Sequence, residues 1–221
     1  MFASIMAWPG AIAIGVSLGL LGSGGSILTV PVLVYLVGQD EKVAIAGSLF
    51  IVGSIALAGS LQFLRAGLIN WRSVATFGLP GMVGTYAGAA IAAYVSGMMQ
   101  LALFAVVMLL ASCLMLRPIK LSDSEHAPRA LWKIAGDGLV VGIITGLVGV
   151  GGGFLIVPAL VLLGGLSMHQ AVATSLVVIA LKSFSGFYKY LDVLGDQDLH
   201  LDWPVLALVT VLGIAGSIAG S

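Results

Sequence analysis

Long runs of apolar residues follow one another along almost the whole chain of 221 residues. A run of roughly 20 apolar residues suffices for one helix to cross the hydrocarbon core of a bilayer. This feature predicts an all-α integral membrane protein, surrounded by lipid bilayer, with no room for a soluble domain. The runs cover residues 8–38, 43–64, 73–95, 98–116, 134–165, 171–191 and 203–221.

Composition supports the membrane interpretation. Hydrophobic residues make up 60% of the chain and charged residues only 8%, with a mean hydropathy of +1.16. A soluble globular chain carries about 25% charged residues. The net charge is zero, so nucleic acid is not an expected partner. The single cysteine, Cys113, excludes a disulfide within the chain.

Soluble glycine motifs do not fit this sequence. A dinucleotide fingerprint would require glycine at position 27 or 154, where the chain has Ile27 and Phe154. No Walker lysine follows the glycines, and no His, Cys, Asp and Glu cluster has the spacing of metal ligands. The sequence therefore predicts no catalytic residue, cofactor or metal, and an enzyme is not expected.

The second half of the chain repeats the first. Residues 19–31, GLLGSGGSILTVP, match residues 146–158, GLVGVGGGFLIVP, at a spacing of 127 (146 − 19). The spacing is kept until a single insertion in the second half raises it to 132. The pattern predicts two repeats, in residues 1–117 and 134–221, joined by a cytoplasmic linker at 118–133.

The positive charges predict an orientation. Arg65 and Arg72 flank one loop, and Arg117 and Lys133 lie in the linker two spans later. The positive-inside rule places these loops on the cytoplasmic side of a multi-pass membrane protein. If each broken first segment crosses once, each repeat has four spans and the two repeats are parallel rather than inverted. A re-entrant hairpin would change this count.

Two other loops follow from the same count of spans. Lys42 and His169 share a repeat position and are expected at the outer mouth. The loop at 192–202 should be cytoplasmic, yet it carries four aspartates and no lysine or arginine. This acidic loop fits the predicted topology poorly.

Glycine clusters interrupt the first run of each repeat, at residues 22–26 and 149–153. In a bilayer, unwound backbone is tolerated only where protein buries it or a wet cavity borders it. The free N–H groups of a half-helix N-terminus suit an anion, and Pro31 and Pro158 fit near the starts of these half-helices. Paired broken helices predict a transporter with a midplane site. The alternative is that the glycines serve only close helix packing.

Polar residues within the apolar runs are further candidates. Ser48 matches the pair Thr174 and Ser175, and these hydroxyls either line a path or bond carbonyls of their own helices. Lys182 either neutralises an anion in transit or extends its ammonium to the interface, and its repeat partner is Ile55. The predicted substrate-binding residues are Ser23, Gly24, Gly25, Ser48, Gly151, Gly152, Gly153, Thr174, Ser175 and Lys182.

Three stretches carry a family resemblance: GLLGSGGS at 19–26 with Pro31, GLVGVGGG at 146–153 with Pro158, and HQAVATSL at 169–176. In these stretches the chain resembles the TauE/SafE family of sulfite and sulfonate exporters. The resemblance covers nearly the whole chain as two related halves. It implies a permease of the cytoplasmic membrane that exports small sulfur-containing anions. A nontransporting scaffold or sensor subunit is the competing function.

The second repeat lacks a counterpart to the run at 98–116. We therefore expect a longer native chain, a helix supplied by another subunit of a homo-oligomer, or reduced stability. The missing helix would pack on small residues of the last run, which invite close approach. These residues are Gly213, Gly216, Ser217 and Gly220.

Overall fold

The computed structural model describes residues 26–116, 131–162 and 164–220, which contain helices and no strand. The predicted break at 22–26, with Ser23, Gly24 and Gly25, lies outside the described residues. Most of the predicted linker, at 118–130, also lies outside them.

The first half contributes four described helices. They are α1 (Ser26–Pro31, continued by a π-helical turn at Val32–Leu36), α2 (Glu41–Arg65), α3 (Trp71–Ala92) and α4 (Gly97–Leu116). Asp40 caps α2 by accepting a hydrogen bond from the Lys42 amide at 3.0 Å. Asn70 caps α3 in the same way, through the Ser73 amide at 3.0 Å. These caps lie at the predicted starts of the two spans.

The second half contributes four more. They are α5 (Leu131–Val148), α6 (Gly153–Leu162), α7 (Met168–Gly195) and α8 (Trp203–Gly220). α5 begins at Leu131, inside the predicted linker, and α7 continues past the predicted end at 191. A Lys189–Asp192 pair, at 3.2 Å and one turn apart, joins the predicted end of the span to this extension. Among the described residues, α2, α3 and α7 are long and apolar enough to cross a membrane.

The closest helix packing joins α3 to α5, through glycines on both sides. A methyl group on Gly84 would overlap the carbonyl oxygen of Leu139, and one on Gly142 would overlap that of Gly81. The contacts advance in the same direction along both helices, so α3 and α5 run parallel. Bare glycine faces let backbones approach in lipid, where dispersion contacts rather than water drive association.

The equivalent helices of the two repeats, α2 and α7, run antiparallel. Their contacts pair Leu49 with Gly186, Gly53 with Ser183 and Gly59 with Leu176. A pair of spanning helices related by duplication can be antiparallel only if the two halves are inverted with respect to each other. The prediction of parallel repeats is therefore wrong.

The reason for the inversion is the path of the chain through α5 and α6. α3 runs parallel to α5. It also runs parallel to α7, because Gly78 contacts Val178 and Gly81 contacts Lys182. α5 and α7 therefore point the same way, and α6 between them must return toward the side where α5 began. The broken segment folds back instead of crossing, which removes one crossing from the predicted count.

The inverted arrangement places the charges differently from the prediction. The starts of α3, α5 and α7 lie on the same side of the bundle as the end of α2. Arg65, Arg72 and Lys133 therefore lie on one side, as predicted. The fourth predicted residue, Arg117, is outside the described residues. The acidic loop at 192–202 lies on the opposite side, which removes its conflict with the positive-inside rule. Lys42 and His169 lie on opposite sides of the bundle, so the prediction that both lie at the outer mouth is wrong.

Two smaller expectations also fail. Pro158 is the sixth residue of α6 and lies inside the helix, not in its first turn. Its ring removes one backbone hydrogen bond from the middle of this short helix. Pro31 likewise is the last residue of α1, directly before the π-helical turn.

Part of the small-residue face of α8 is covered by α2. A methyl group on Gly213 would overlap Ile55 of α2, and Ser217 is buried near Gly59 of the same helix. α2 thus fills the part of this face that was expected to receive a missing helix.

Candidate functional site

A buried break separates α5 from α6, at the position predicted from the second glycine cluster. Residues 149–152 are not helical, and all four are buried. Gly149 and Gly152 have φ of +73° and +72°, values that side chains with a Cβ rarely adopt. This half of the broken-helix prediction is confirmed.

Gly151 lies between equivalent residues of the two repeats. A Cβ built on it would be 2.6 Å from Val52 Cγ1 of α2 and 3.1 Å from Ile179 Cγ2 of α7. Val52 and Ile179 are related by the repeat spacing of 127 (179 − 52), and each lies near the middle of its helix. The break therefore lies buried at the interface of the two halves, level with the middles of α2 and α7.

The start of α6 presents a group of free backbone donors. Gly152 O accepts hydrogen bonds from the Leu155 and Ile156 amides, each at 3.0 Å. Within the described part of the chain, no hydrogen bond is made by the amides of residues 151–154. Such amides, together with the positive end of the helix dipole, favour a negative charge.

Ser183 of α7 adds a hydroxyl that the sequence interpretation missed. Its Oγ lies 3.1 Å from the Cβ position of Gly151, is fully buried, and has no hydrogen-bond partner among the described residues. A buried hydroxyl without a partner is costly unless a ligand or water satisfies it. Its neighbour Lys182 was a sequence signal, but nothing in the pattern indicated that Ser183 faces the break.

Lys182 precedes Ser183 and occupies the middle of α7. The side chain is 1% exposed, and its Nζ has no hydrogen-bond partner in the part of the chain that the structure describes; the prediction that the ammonium extends to the interface is therefore wrong. The stem lies against Gly81 of α3, and Nζ is 5.9 Å from the centre of the Phe77 ring. A cation–π contact compensates only part of the lost hydration. One turn of α7 thus carries two buried polar groups without partners, on adjacent faces.

The other predicted hydroxyls contact backbone. Ser48 Oγ is 2.8 Å from Ile45 O and 2.5 Å from Gly149 O, so its hydrogen ties α2 to the break. Ser175 donates to Val172 O of its own helix at 2.8 Å.

Thr174 Oγ1 accepts a hydrogen bond from the Asn70 amide at 3.0 Å. Of the predicted residues, the structure brings Ser48, Gly151, Gly152 and Gly153 together at the break, while Lys182 precedes Ser183 on α7 and packs against Gly81 of α3.

A bundle of apolar helices with inverted repeats and a broken helix at its centre defines a secondary-transporter type of membrane protein. The chain belongs to the sulfite exporter TauE/SafE family, which matches residues 7–221. It is accordingly a membrane transporter.

Relatives from distant organisms support this class. A "probable membrane transporter protein" of Xylella fastidiosa is 33% identical over 215 residues, covering 94% of this chain and 80% of the relative. One from Bacillus subtilis, YunE, is 32% identical, with 91% and 82% covered. An archaeal one from Methanocaldococcus jannaschii is 26% identical, with 86% and 74% covered. None of the solved structures gives a significant match.

Proposed function

We propose that this protein exports small anions, of the sulfite and sulfonate class, across the cytoplasmic membrane. The observation that carries the proposal is a cluster of buried donors, without partners in the described part of the chain, at the interface of the two halves. Among the described residues the amides of 151–154 make no hydrogen bond, the Ser183 hydroxyl lies 3.1 Å from the Cβ position of Gly151, and Lys182 precedes Ser183 on α7. Donors without partners in a dry interior are suited to an anionic ligand.

Alternating access follows from the inverted halves. The break of the second half is held by α2 of the first half, through Ser48 and through contact of Val52 with Gly151. A rocking motion of one half against the other would change these contacts and expose the donors to one side at a time. No covalent chemistry is needed.

A nontransporting scaffold or sensor subunit is the competing function. A scaffold would use its glycines for packing alone, as α3 and α5 do. It would not require buried donors without partners at the break, since each one destabilises a folded protein.

The test is sulfite flux through the purified protein in proteoliposomes. The Gly151→Val variant places a branched side chain against Val52 and Ile179, where the anion must meet bare backbone. Gly136→Val is the matched control, since a Cβ at Gly136 of α5 meets nothing within 4 Å. We expect flux with the parent and the control, and loss with Gly151→Val. Absence of flux with the parent protein would favour the scaffold.

A further inference from the structure

Three aromatic rings from three different helices meet at one place in the bundle. The ring centre of Phe50 in α2 lies 5.2 Å from that of Phe187 in α7. The ring of Trp203, at the start of α8, lies 5.9 Å from Phe50 and 6.5 Å from Phe187. Trp203 meets both rings edge to face, at 87° and 88°. These three residues, here called the aromatic cluster, therefore join α2, α7 and α8.

The aromatic cluster lies about one helical turn from the break, toward the acidic loop at 192–202. At the level of the break, Ser183 Cβ of α7 is 3.1 Å from the Cβ position of Gly53 in α2. Phe187 follows Ser183 by four residues, and Phe50 precedes Gly53 by three. Residues three or four apart share a face of a helix. Because α2 and α7 are antiparallel, both rings are displaced from the break in the same direction, away from the arginines.

The aromatic cluster also continues the apolar packing around the break. Phe187 belongs to the same buried apolar core as Val150 of the break and Phe154 of α6, and Phe50 packs against this core. Phe187 is 9% exposed, whereas Trp203 is 53% exposed. The rings therefore separate the buried break from one surface of the bundle. An apolar constriction of this kind excludes water and ions without using charge.

The equivalent positions of the opposite repeat do not form such a cluster. At the repeat spacings of 127 and 132, the equivalents of the three rings are Val177, Ser60 and Trp71. Trp71 is exposed and makes no ring contact within the described part of the chain. Ser60 donates a hydrogen bond to Leu57 O of its own helix at 2.7 Å. The duplicated fold thus does not require three rings at this level, and they serve one side only.

We propose that Phe50, Phe187 and Trp203 form a gate that closes the break toward the side of the acidic loop, which the positive-inside rule places outside. The proposal rests on the proposed function and names a part that must move in it. Phe50 and Phe187 belong to different halves, so rocking of the halves shifts α2 against α7 and separates the rings. Edge-to-face ring contacts are individually weak, so they can break and re-form in each cycle.

The experiment measures how fast a thiol at the break reacts from each side of the membrane. Ser183→Cys is made in a Cys113→Ser background, and a membrane-impermeant, sulfonate-bearing methanethiosulfonate is added to intact cells or to inside-out vesicles. Phe187→Ala should speed modification from the outside by at least about tenfold and leave the rate from the inside unchanged. Trp203→Ala should act in the same direction with less effect on folding, because Trp203 is already half-exposed.

Two further variants separate a gate from general loosening of the bundle. Tyr188→Ala is the matched control, since Tyr188 is an exposed ring on the same turn of α7, and it should keep the parental rate. Phe187→Tyr keeps an aromatic ring and should keep the slow rate from the outside. Melting in detergent shows which variants are folded; if Phe187→Ala is not, Trp203→Ala decides. Acceleration from both sides, from the inside alone or from neither side would overturn the gate.

The labelling does not depend on transport, so the gate and the proposed function can fail separately. Sulfite flux through the parent protein, without faster labelling in the ring variants, would remove the gate and leave the transport function standing. Faster labelling from the outside, without sulfite flux through the parent, would support the gate and overturn sulfite as the substrate.

Discussion

Two equivalent grooves lie between the repeats, one filled by isoleucine and the other by lysine. In the first, Ile55 of α2 packs against Gly213 of α8. In the second, Lys182 of α7 packs against Gly81 of α3. The lysine and the isoleucine are related by the spacing of 127 (182 − 55), and the two glycines by that of 132 (213 − 81). Both side chains are 1% exposed.

The isoleucine shows what the fold alone requires of this groove. An apolar side chain against a glycine fills the space between two helices without loss of hydration. The lysine fills an equivalent space but leaves its ammonium without a hydrogen bond. A charge that packing does not need, in the middle of a spanning helix, is a candidate for function. Exchanges between the two grooves therefore separate the demands of folding from those of transport.

The largest effect is expected when a lysine is placed in the apolar groove. Ile55→Lys would bury an ammonium beside Gly213 with no partner for it. We expect a loss of roughly 3–5 kcal/mol in the free energy of unfolding, measured by denaturation in detergent. A variant as stable as the parent would show that this groove also tolerates a buried charge. The contrast between the isoleucine groove and the lysine groove would then not hold.

The reverse change makes the second groove resemble the first. Lys182→Ile should preserve the fold or stabilise it, because an apolar side chain replaces an unpaired charge. Anion flux should fall by about a hundredfold, or about 2.7 kcal/mol, as the interior loses its positive charge. Flux assays in proteoliposomes and melting in detergent measure the two effects. Normal flux from a folded Lys182→Ile protein would exclude an essential role for the ammonium.

A third, smaller effect on stability is expected where α3 crosses α5, beside the groove that holds Lys182. In Gly142→Ala the added methyl group meets the carbonyl oxygen of Gly81 and pushes α3 away from α5. We expect the free energy of unfolding to fall by about 1–3 kcal/mol. Gly136→Ala is the control on the same helix, since its methyl group meets nothing within 4 Å. We expect the control to be neutral or slightly stabilising. Equal stabilities of the two variants would argue against the close crossing.

The smallest difference is expected between two equivalent serines. Ser48→Ala removes the hydrogen bond from α2 to the carbonyl oxygen of Gly149 in the break. It should lower the free energy of unfolding by about 1 kcal/mol and also reduce the anion flux. Ser175→Ala removes a bond to Val172 of its own helix and should change stability by less than about 0.5 kcal/mol. Parallel melting curves and flux assays compare the two. A larger effect from Ser175→Ala would reverse this assignment.

Sequence patterns predicted the helices and the second break, but not the direction of the chain. Apolar length and the caps at Asp40 and Asn70 define the spans, because bilayer thickness and free helix ends act locally. Whether a broken segment crosses or folds back depends on tertiary packing, here the parallel run of α5 beside α3. The acidic loop at 192–202 was the one sequence feature that conflicted with the parallel repeats.

The site was predicted only in part, for a related reason. The glycines of the break and the intramembrane Lys182 are visible as departures from apolar pattern. The direction in which a serine faces within a helix cannot be predicted from the sequence. Nothing in the apolar pattern distinguishes Ser48, Ser175 and Ser183. The structure shows one tied to the break, one bonded to its own helix and one without a partner.

The most direct test compares the accessibility of the two equivalent positions to a water-soluble anionic thiol reagent. In a background with Cys113→Ser, which removes the exposed native thiol, Lys182→Cys and Ile55→Cys are each reconstituted and treated with a sulfonate-bearing methanethiosulfonate. We predict modification of the Lys182→Cys variant, protection by excess methanesulfonate, and no modification of the Ile55→Cys variant. Equal reaction at both positions, or an unreactive Lys182→Cys variant in a folded protein, would contradict an anion pathway past Lys182.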